Sequence, residues 1–209
     1  DAKQLCPVEP RKILCIGRNY SAHAKEMGDD IPLSPLLFLK APSSLIGPDD
    51  TVILPKETQR VEHEAELGVV IGKSARRISV NTALDYVFGY TIVGDITARD
   101  LQKADGQWAR AKGFDTFCPV GPTILTGLDT SNLPVIARVN GVVRQNGNTC
   151  NMLFNVATLV SHLSQAMTLQ PGDLIATGTP EGVGPLRHGD SLEIEIRPIG
   201  TLRVNVRNE

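Results

Sequence analysis

Hydrophobic residues along this chain come in short runs, and turn residues separate them. Runs rich in Val, Ile and Leu occupy 12–16, 36–39, 51–54, 67–71, 86–93, 123–126, 135–143, 173–176, 191–196 and 201–206. Each is short enough for a strand, and the 19 glycines and 14 prolines punctuate them at turn-like intervals, the pattern of a mainly β domain. Asn140-Gly141, flanked by apolar residues on both sides, predicts a two-residue hairpin turn. Leu192-Glu-Ile-Glu-Ile196 alternates with period two, as a half-exposed strand does. Helical spacing is rarer. The segment 155–167 repeats Val156, Leu159, Val160, Leu163 and Met167 on one face; 20–27 and 98–107 predict two shorter helices. With no internal repeat, low-complexity tract or linker, the reading is one α+β, mainly β domain over residues 1–209 with a few short helices.

Bulk composition changes this picture little. The 209 residues are 41% hydrophobic and 21% charged, and the net charge of −2 gives no reason to expect nucleic acid as a partner. No apolar run nears the roughly 18–20 residues that span a bilayer, so no membrane association is expected, and the amino terminus lacks a secretory signal pattern. The chain starts at Asp1, which leaves room for an upstream segment, including a removed address. Cys6, Cys15, Cys118 and Cys150 are scattered with no C-x-x-C pair. That argues against a thiolate zinc site and for free thiols in a reducing compartment, with the cytoplasm as the expected location. Cys15, between Leu14 and Ile16, reads as a small core residue.

Charge patterning is more informative. In VEHEAELGVVIG, Glu62, Glu64 and Glu66 take every second position and then run into an apolar segment. On a strand all three share one face. Like charges side by side at the mouth of a core repel, and burying one without a partner costs several kcal/mol or forces protonation. The apolar run that follows places Glu64 and Glu66 toward the buried end and Glu62 nearer solvent. Two readings remain open here: a solvated strand face paired with basic residues, or an oxygen-ligand site for Mg²⁺, Mn²⁺ or Ca²⁺. In LEIEIRP, Glu193 and Glu195 alternate with core residues and read as solvent-facing and structural. A further acid, Asp95, closes an apolar strand in VGDITARDLQ; Asp100, five residues on, is expected to pair with an arginine on a helix. Glu64, Glu66 and Asp95 together would leave about three octahedral positions open.

Taken together, E-x-E-L-x-V-V-I-G, then G-D-x-T-A-R-D-L-Q, with G-R-N-Y-x-x-H near the start and G-T-P-x-G-V-G near the end, resemble the fumarylacetoacetate hydrolase family from about residue 13 to 206. That resemblance implies a mixed β-roll and a homodimer. It implies Mg²⁺ as cofactor, with Mn²⁺ or Ca²⁺ as substitutes, held by Glu64, Glu66 and Asp95, and Glu62 outside the ligand set. It also assigns roles elsewhere. His23 and Glu26, three apart on a helix, share a face and match the His–Glu dyad of the acylpyruvate-hydrolysing members, although alone they also fit an ordinary surface helix. Lys112 in WARAKGFD matches a site lysine that would hold a developing oxyanion, although alone it also reads as exposed. Arg18 and Gln102 match positions that approach substrate. In TGTPEGVG the glycines can aim backbone N–H groups at an anion, with Thr179 adding a hydroxyl to a substrate carboxylate; the segment also fits a plain tight loop. The stretch 20–35, which contains GDDIP at 28–32, is expected to act as a lid. The implied reaction is metal-assisted hydrolysis of a carbon–carbon bond in a 2,4-dioxo acid, releasing pyruvate. Oxaloacetate decarboxylation and isomerisation of a 2-hydroxyhepta-2,4-diene-1,7-dioate are the alternatives, and a non-catalytic metal-binding module is the rival from another class.

Overall fold

The computed structural model describes residues 3–209. The chain runs β1 (Ile13–Gly17), α1 (Ser21–Glu26), β2 (Leu36–Lys40), β3 (Leu45–Ile46), β4 (Thr51–Leu54), β5 (Val61–His63) and β6 (Ala65–Ile71). A 3-10 helix (Val80–Tyr86) leads into β7 (Val87–Gly94), β8 (Thr97–Ala98), α2 (Arg99–Asp105), α3 (Ala109–Gly113) and β9 (Cys118–Leu125). The last part holds β10 (Pro134–Val139), β11 (Val142–Asn148), α4 (Val156–Ala166), β12 (Leu174–Ala176), β13 (Gly184–Pro185), β14 (Ser191–Ile196) and β15 (Gly200–Asn208).

These strands form two mixed sheets and one small antiparallel sheet. The first has seven strands in the order β2-β1-β12-β6-β7-β9-β3, the second five in the order β11-β10-β14-β15-β4, and the third is the small β13-β5-β8 sheet. The strands inside the seven-stranded sheet are covered on both faces, so they read as continuous apolar runs. In β1, Leu14 and Ile16 enter the main core while Ile13 and Cys15 enter a second cluster on the other face. The main core also takes the inward residues of β10, β14 and β15 and the apolar stripe of α4. In β14 only alternate residues are buried, so Glu193 and Glu195 point away from the core and pair with Arg203 and Arg138.

The local signals act as physical chemistry requires. Asn140 and Gly141 adopt φ of 53° and 77°, the two left-handed residues of a type I′ turn, and join β10 to β11. Asn155 caps α4, its side chain accepting from the Thr158 N–H at 3.0 Å. The helix expected over 98–107 is shorter: Ala98 belongs to β8, and Gly106 at φ 69° ends α2 in a left-handed turn before α3 begins. Asp100 does not pair with an arginine. It accepts from the Thr58 hydroxyl and the Gln59 N–H instead. All four cysteines are free, with Cys15 and Cys118 buried. Among the described residues no helix is long and apolar enough to cross a membrane.

Candidate metal centre

The acidic stretch does not form one strand. β5 belongs to the small sheet and β6 to the large one, and Glu64 stands at the break between them. Asp95 follows the last residue of β7, and its N–H donates to the Glu64 carbonyl at 2.9 Å. The change of sheet therefore faces the end of the neighbouring strand. Glu64, Glu66 and Asp95 are all buried, and each offers one carboxylate oxygen within 4.8 Å of the others.

Buried carboxylates need compensating charge, and three cations supply it. Lys112 Nζ donates to Glu64 Oε2 at 2.9 Å and to Asp95 Oδ2 at 2.6 Å. Lys40 Nζ donates to Asp95 Oδ1 at 2.7 Å and to the Ile96 carbonyl at 3.2 Å. Arg99, at the start of α2, forks between Glu62 Oε2 and Glu64 Oε1, each at 2.7 Å. Glu62 is thus not nearer solvent: it is 1% exposed. It faces Arg99 and Arg60 rather than the other acids, because the strand break turns the chain between Glu62 and Glu66.

Glu66 is the exception. Its one side-chain partner among the described residues is the Gly178 N–H, at 2.7 Å. Burial, then the charges of Asp95 and Glu64, push its carboxyl well above the ordinary carboxylate range, against the pull of Lys112 and that amide. Burial also pushes Glu64 up, but Lys112 and Arg99 overcome it and leave Glu64 below its ordinary value. Lys112 is held charged by Asp95 and Glu64 against the effect of its own burial. The donor set is thus three converging hard oxygens, of which Glu66 alone has no cationic hydrogen-bond partner among the described residues. It fits a divalent ion such as Mg²⁺ or Mn²⁺ and supplies no nitrogen or sulfur ligand for zinc.

A cavity of about 450 Å³ opens onto this cluster. It brings together Arg18, His23, Glu64, Glu66, Gln102, Lys112 and Thr179. Glu26 and Asp95 lie behind that lining, each touching a residue that faces in. His23, on α1, is 6% exposed, with Nδ1 3.3 Å from Glu26 Oε2. Gln102 accepts from Arg99 Nη1 at 2.8 Å, so the arginine that neutralises Glu64 also orients this amide. Arg18 adopts φ 57°, a conformation costly for a residue with a Cβ. Its guanidinium lies over Trp108 and its Nε is 3.0 Å from Asp29 Oδ2. That contact ties the 20–35 stretch, which leaves α1 through Gly28 at φ 74°, to the cavity wall. Phe38 packs edge-on against Trp108 at 5.1 Å and adds an apolar side.

The glycine-rich turn after β12 aims its amides at the protein's own carboxylates. Gly178 donates to Glu66, and Gly182 donates to Glu26 at 3.0 and 3.2 Å. Both glycines have positive φ, 98° and 92°. A Cβ on Gly182 would meet the Arg144 carbonyl oxygen at 2.1 Å. Gly182→Ala is therefore expected to destabilise the chain by about 1–3 kcal/mol from backbone strain and to free Glu26 from its amide. Thermal melting together with kcat checks this, and an unchanged melting temperature would contradict it. The Thr179 hydroxyl donates to the Ala65 carbonyl at 3.0 Å.

Sequence reasoning did not single out Lys40, Arg99, Asp29 or Gln145. Arg99 carried a signal, four residues after Asp95 within the same motif; Lys40, at the end of LLFLK, carried none.

The chain matches the family model described as "Fumarylacetoacetate (FAA) hydrolase C-terminal" over residues 12–207. It is 48% identical over 209 residues to Oxaloacetate tautomerase YisK of Bacillus subtilis, covering 94% of this chain and 69% of that one. It is 47% identical over 207 residues to 2,4-didehydro-3-deoxy-L-rhamnonate hydrolase of a Sphingomonas species, covering 93% and 73%. Its fold superposes on the crystal structure of fumarylpyruvate hydrolase from Pseudomonas aeruginosa, in complex with Mn²⁺ and pyruvate, with a TM-score of 0.89 at 35% identity, covering all of this chain and 93% of that one.

Proposed function

We propose, from the premise that this chain belongs to the fumarylacetoacetate hydrolase family, that it is a divalent-metal-dependent hydrolase cleaving a carbon–carbon bond in a 2,4-dioxo acid and releasing pyruvate. Enzymes of this family act on small molecules, and the cavity is of a size for one. The observation that carries the reading is buried His23, held 3.3 Å from the carboxylate of the exposed Glu26, beside the Glu64, Glu66 and Asp95 cluster. A metal-binding module without chemistry has no use for a second, separately anchored acid–imidazole pair. The relative named as a hydrolase of a didehydro-deoxy sugar acid supports hydrolysis. The structural relative solved with Mn²⁺ and pyruvate supports both the ion and the product.

In this mechanism the ion, when bound, serves as a Lewis acid and template for the 2-oxo acid. Glu26, itself held by the Gly182 amide, orients the His23 ring. His23 takes one proton from water through its free ring nitrogen, and the water oxygen bonds to the 4-carbonyl carbon. The C3–C4 bond then breaks, and its electron pair becomes the enolate of pyruvate. Lys112 has three donors, of which Glu64 and Asp95 take two; the third is available to the enolate oxygen. Protonation at C3 completes pyruvate, so one water is consumed and two acids are formed. Arg18, Gln102 and Thr179 border the substrate in this reading, and the 20–35 stretch closes over it. Leu33, Leu36 and Leu39, exposed on and beside the edge strand β2, offer a surface for the homodimer that belongs to the same proposal. The cytoplasm is its proposed setting.

The relative named as an oxaloacetate tautomerase favours a second reading in the same site: proton transfer at C3 of oxaloacetate, by His23 and Lys112, without water attack; decarboxylation and isomerisation share that enol chemistry. A panel of acylpyruvates and oxaloacetate, assayed with Mg²⁺ or Mn²⁺ and after chelation, separates them. The expected result is metal-dependent release of pyruvate and a carboxylic acid from an acylpyruvate. Rapid interconversion of oxaloacetate tautomers with no acylpyruvate cleavage would replace the hydrolase reading by the second.

A further inference from the structure

Ala65 sits between two of the proposed ligands, Glu64 and Glu66, and a single side chain from the far sheet governs its surroundings. Gln145, on β11, is fully buried. Its Oε1 accepts from the Ala65 N–H at 2.9 Å. Its Nε2 donates to Thr179 Oγ1 and to the Pro180 carbonyl, both at 2.8 Å. The Thr179 hydroxyl in turn donates to the Ala65 carbonyl at 3.0 Å. Ala65, Gln145 and Thr179 thus close a ring that clasps both backbone groups of the residue between the two carboxylates.

The orientation of the Gln145 amide is not a free choice. One end meets a backbone donor and the other a backbone acceptor, so flipping it would set N–H against N–H and C=O against C=O. That orientation fixes a second group. His63 Nδ1 lies 3.2 Å from the same Oε1, so it carries the proton and donates. His63 Nε2 is left as a bare, buried lone pair with no hydrogen-bond partner among the described residues. The same amide also pins the glycine turn at Thr179 and Pro180, between the Gly178 amide that holds Glu66 and the Gly182 amide that holds Glu26.

We propose that Gln145 is a positioning residue that sets the spacing of Glu64 and Glu66 and fixes the turn joining the metal centre to the His23–Glu26 pair. It touches neither substrate nor ion and acts through Ala65 and the Thr179–Pro180 turn. A ligand pair on either side of one residue is only as well placed as that residue, and here the Ala65 N–H is held by the Gln145 amide and the Ala65 carbonyl by the Thr179 hydroxyl that Gln145 bonds in turn. Outer hydrogen-bonding partners of metal ligands typically contribute about 10–100-fold in metal affinity.

The inference rests on the divalent-metal reading above, and its test separates the two. Mn²⁺ binding is measured by calorimetry, without substrate, for the wild type and for Gln145→Met, which keeps the volume and removes every hydrogen bond. A folded Q145M, by circular dichroism, that binds Mn²⁺ about 10–100-fold more weakly supports the proposal. A folded Q145M that binds within twofold of the wild type overturns it alone. Failure of the wild type to bind Mn²⁺ overturns the metal reading and this proposal with it. Where Q145M does not fold, ¹⁵N NMR of the wild-type imidazoles decides: the Nδ1–H tautomer at His63 supports the network, and the Nε2–H tautomer overturns it.

Discussion

Replacing His23 with alanine is expected to lower kcat by about 10²–10⁴-fold, the range a positioned general base contributes, while Mn²⁺ affinity stays near that of the wild type. The separation of effects follows from geometry. His23 faces the cavity from α1 and pairs with Glu26, whereas the three converging carboxylates come from the β5–β6 break and the end of β7. His23 contributes no oxygen to that cluster, and the cations neutralising it are Lys40, Lys112 and Arg99. Its loss therefore removes the water-activating base and leaves the donor set intact. Glu26→Gln is expected to fall in the same direction by less, since Gly182 still holds the side chain and the imidazole keeps a neutral partner. Steady-state kinetics with calorimetric titration of Mn²⁺ checks both. Unchanged turnover in His23→Ala removes His23 from the chemistry of both readings. A large loss of Mn²⁺ affinity in the same variant would place His23 in the metal centre instead.

The parts of the molecule legible in the sequence are those set by periodicity or by a single turn. The Val156–Met167 stripe, the alternation of β14 and the Asn140-Gly141 turn each specify a local conformation that packing then keeps. The acidic stretch shows where such reading stops. Its period of two is real, but the strand breaks at Glu64, and a break is a tertiary event: β5 finds partners in one sheet and β6 in another. That turns Glu62 toward Arg99 and into the interior, where its distance from the apolar run assigned it to solvent. The convergence of Glu64, Glu66 and Asp95 was reached through the order of four motifs, each of them loose by itself. The supporting groups had no such signal. Lys40 ends an apolar run on an edge strand, and nothing local distinguishes it from a solvated strand-end lysine. Gln145 lies in the partly exposed strand β11, and only the approach of the turn after β12 buries it. Residues that act by holding others carry no pattern of their own, because their partners lie 34 and 80 positions away.

Replacing Glu66 with glutamine is expected to abolish useful metal binding while leaving the metal-free protein as stable as the wild type or more so. Most losses of a buried charged residue destabilise, because the partner is left unpaired. Glu66 has no cationic hydrogen-bond partner to strand. Its Gly178 amide is served equally well by the glutamine oxygen, and repulsion from Asp95 and Glu64 disappears with the charge. The pH dependence gives the sign. In the unfolded chain this carboxyl ionises near 4.5, whereas in the fold burial and its two acidic neighbours raise it well above that. Below 4.5 both states are protonated, and Glu66 contributes no slope. Above it the unfolded chain releases a proton that the folded chain keeps, so stability from this group falls as pH rises, until the folded carboxyl ionises too. Glu64, whose value is lowered in the fold, has the opposite slope on the acid side, and both proteins keep it. Denaturant unfolding of metal-free protein as pH rises above 4.5 is thus expected to show a decline in the wild type that is weaker in Glu66→Gln. Mn²⁺ reverses the ranking. At about 100 times its dissociation constant an ion that binds only the folded state adds about 2.7 kcal/mol, and only the wild type gains it. In the variant the loss of affinity exceeds the about 10–100-fold typical of outer-partner changes, since a ligand charge is gone. An equal Mn²⁺-induced stabilisation of both proteins would show that Glu66 does not bind the ion, and the unneutralised acid at the base of the cavity would then have no cation to account for it.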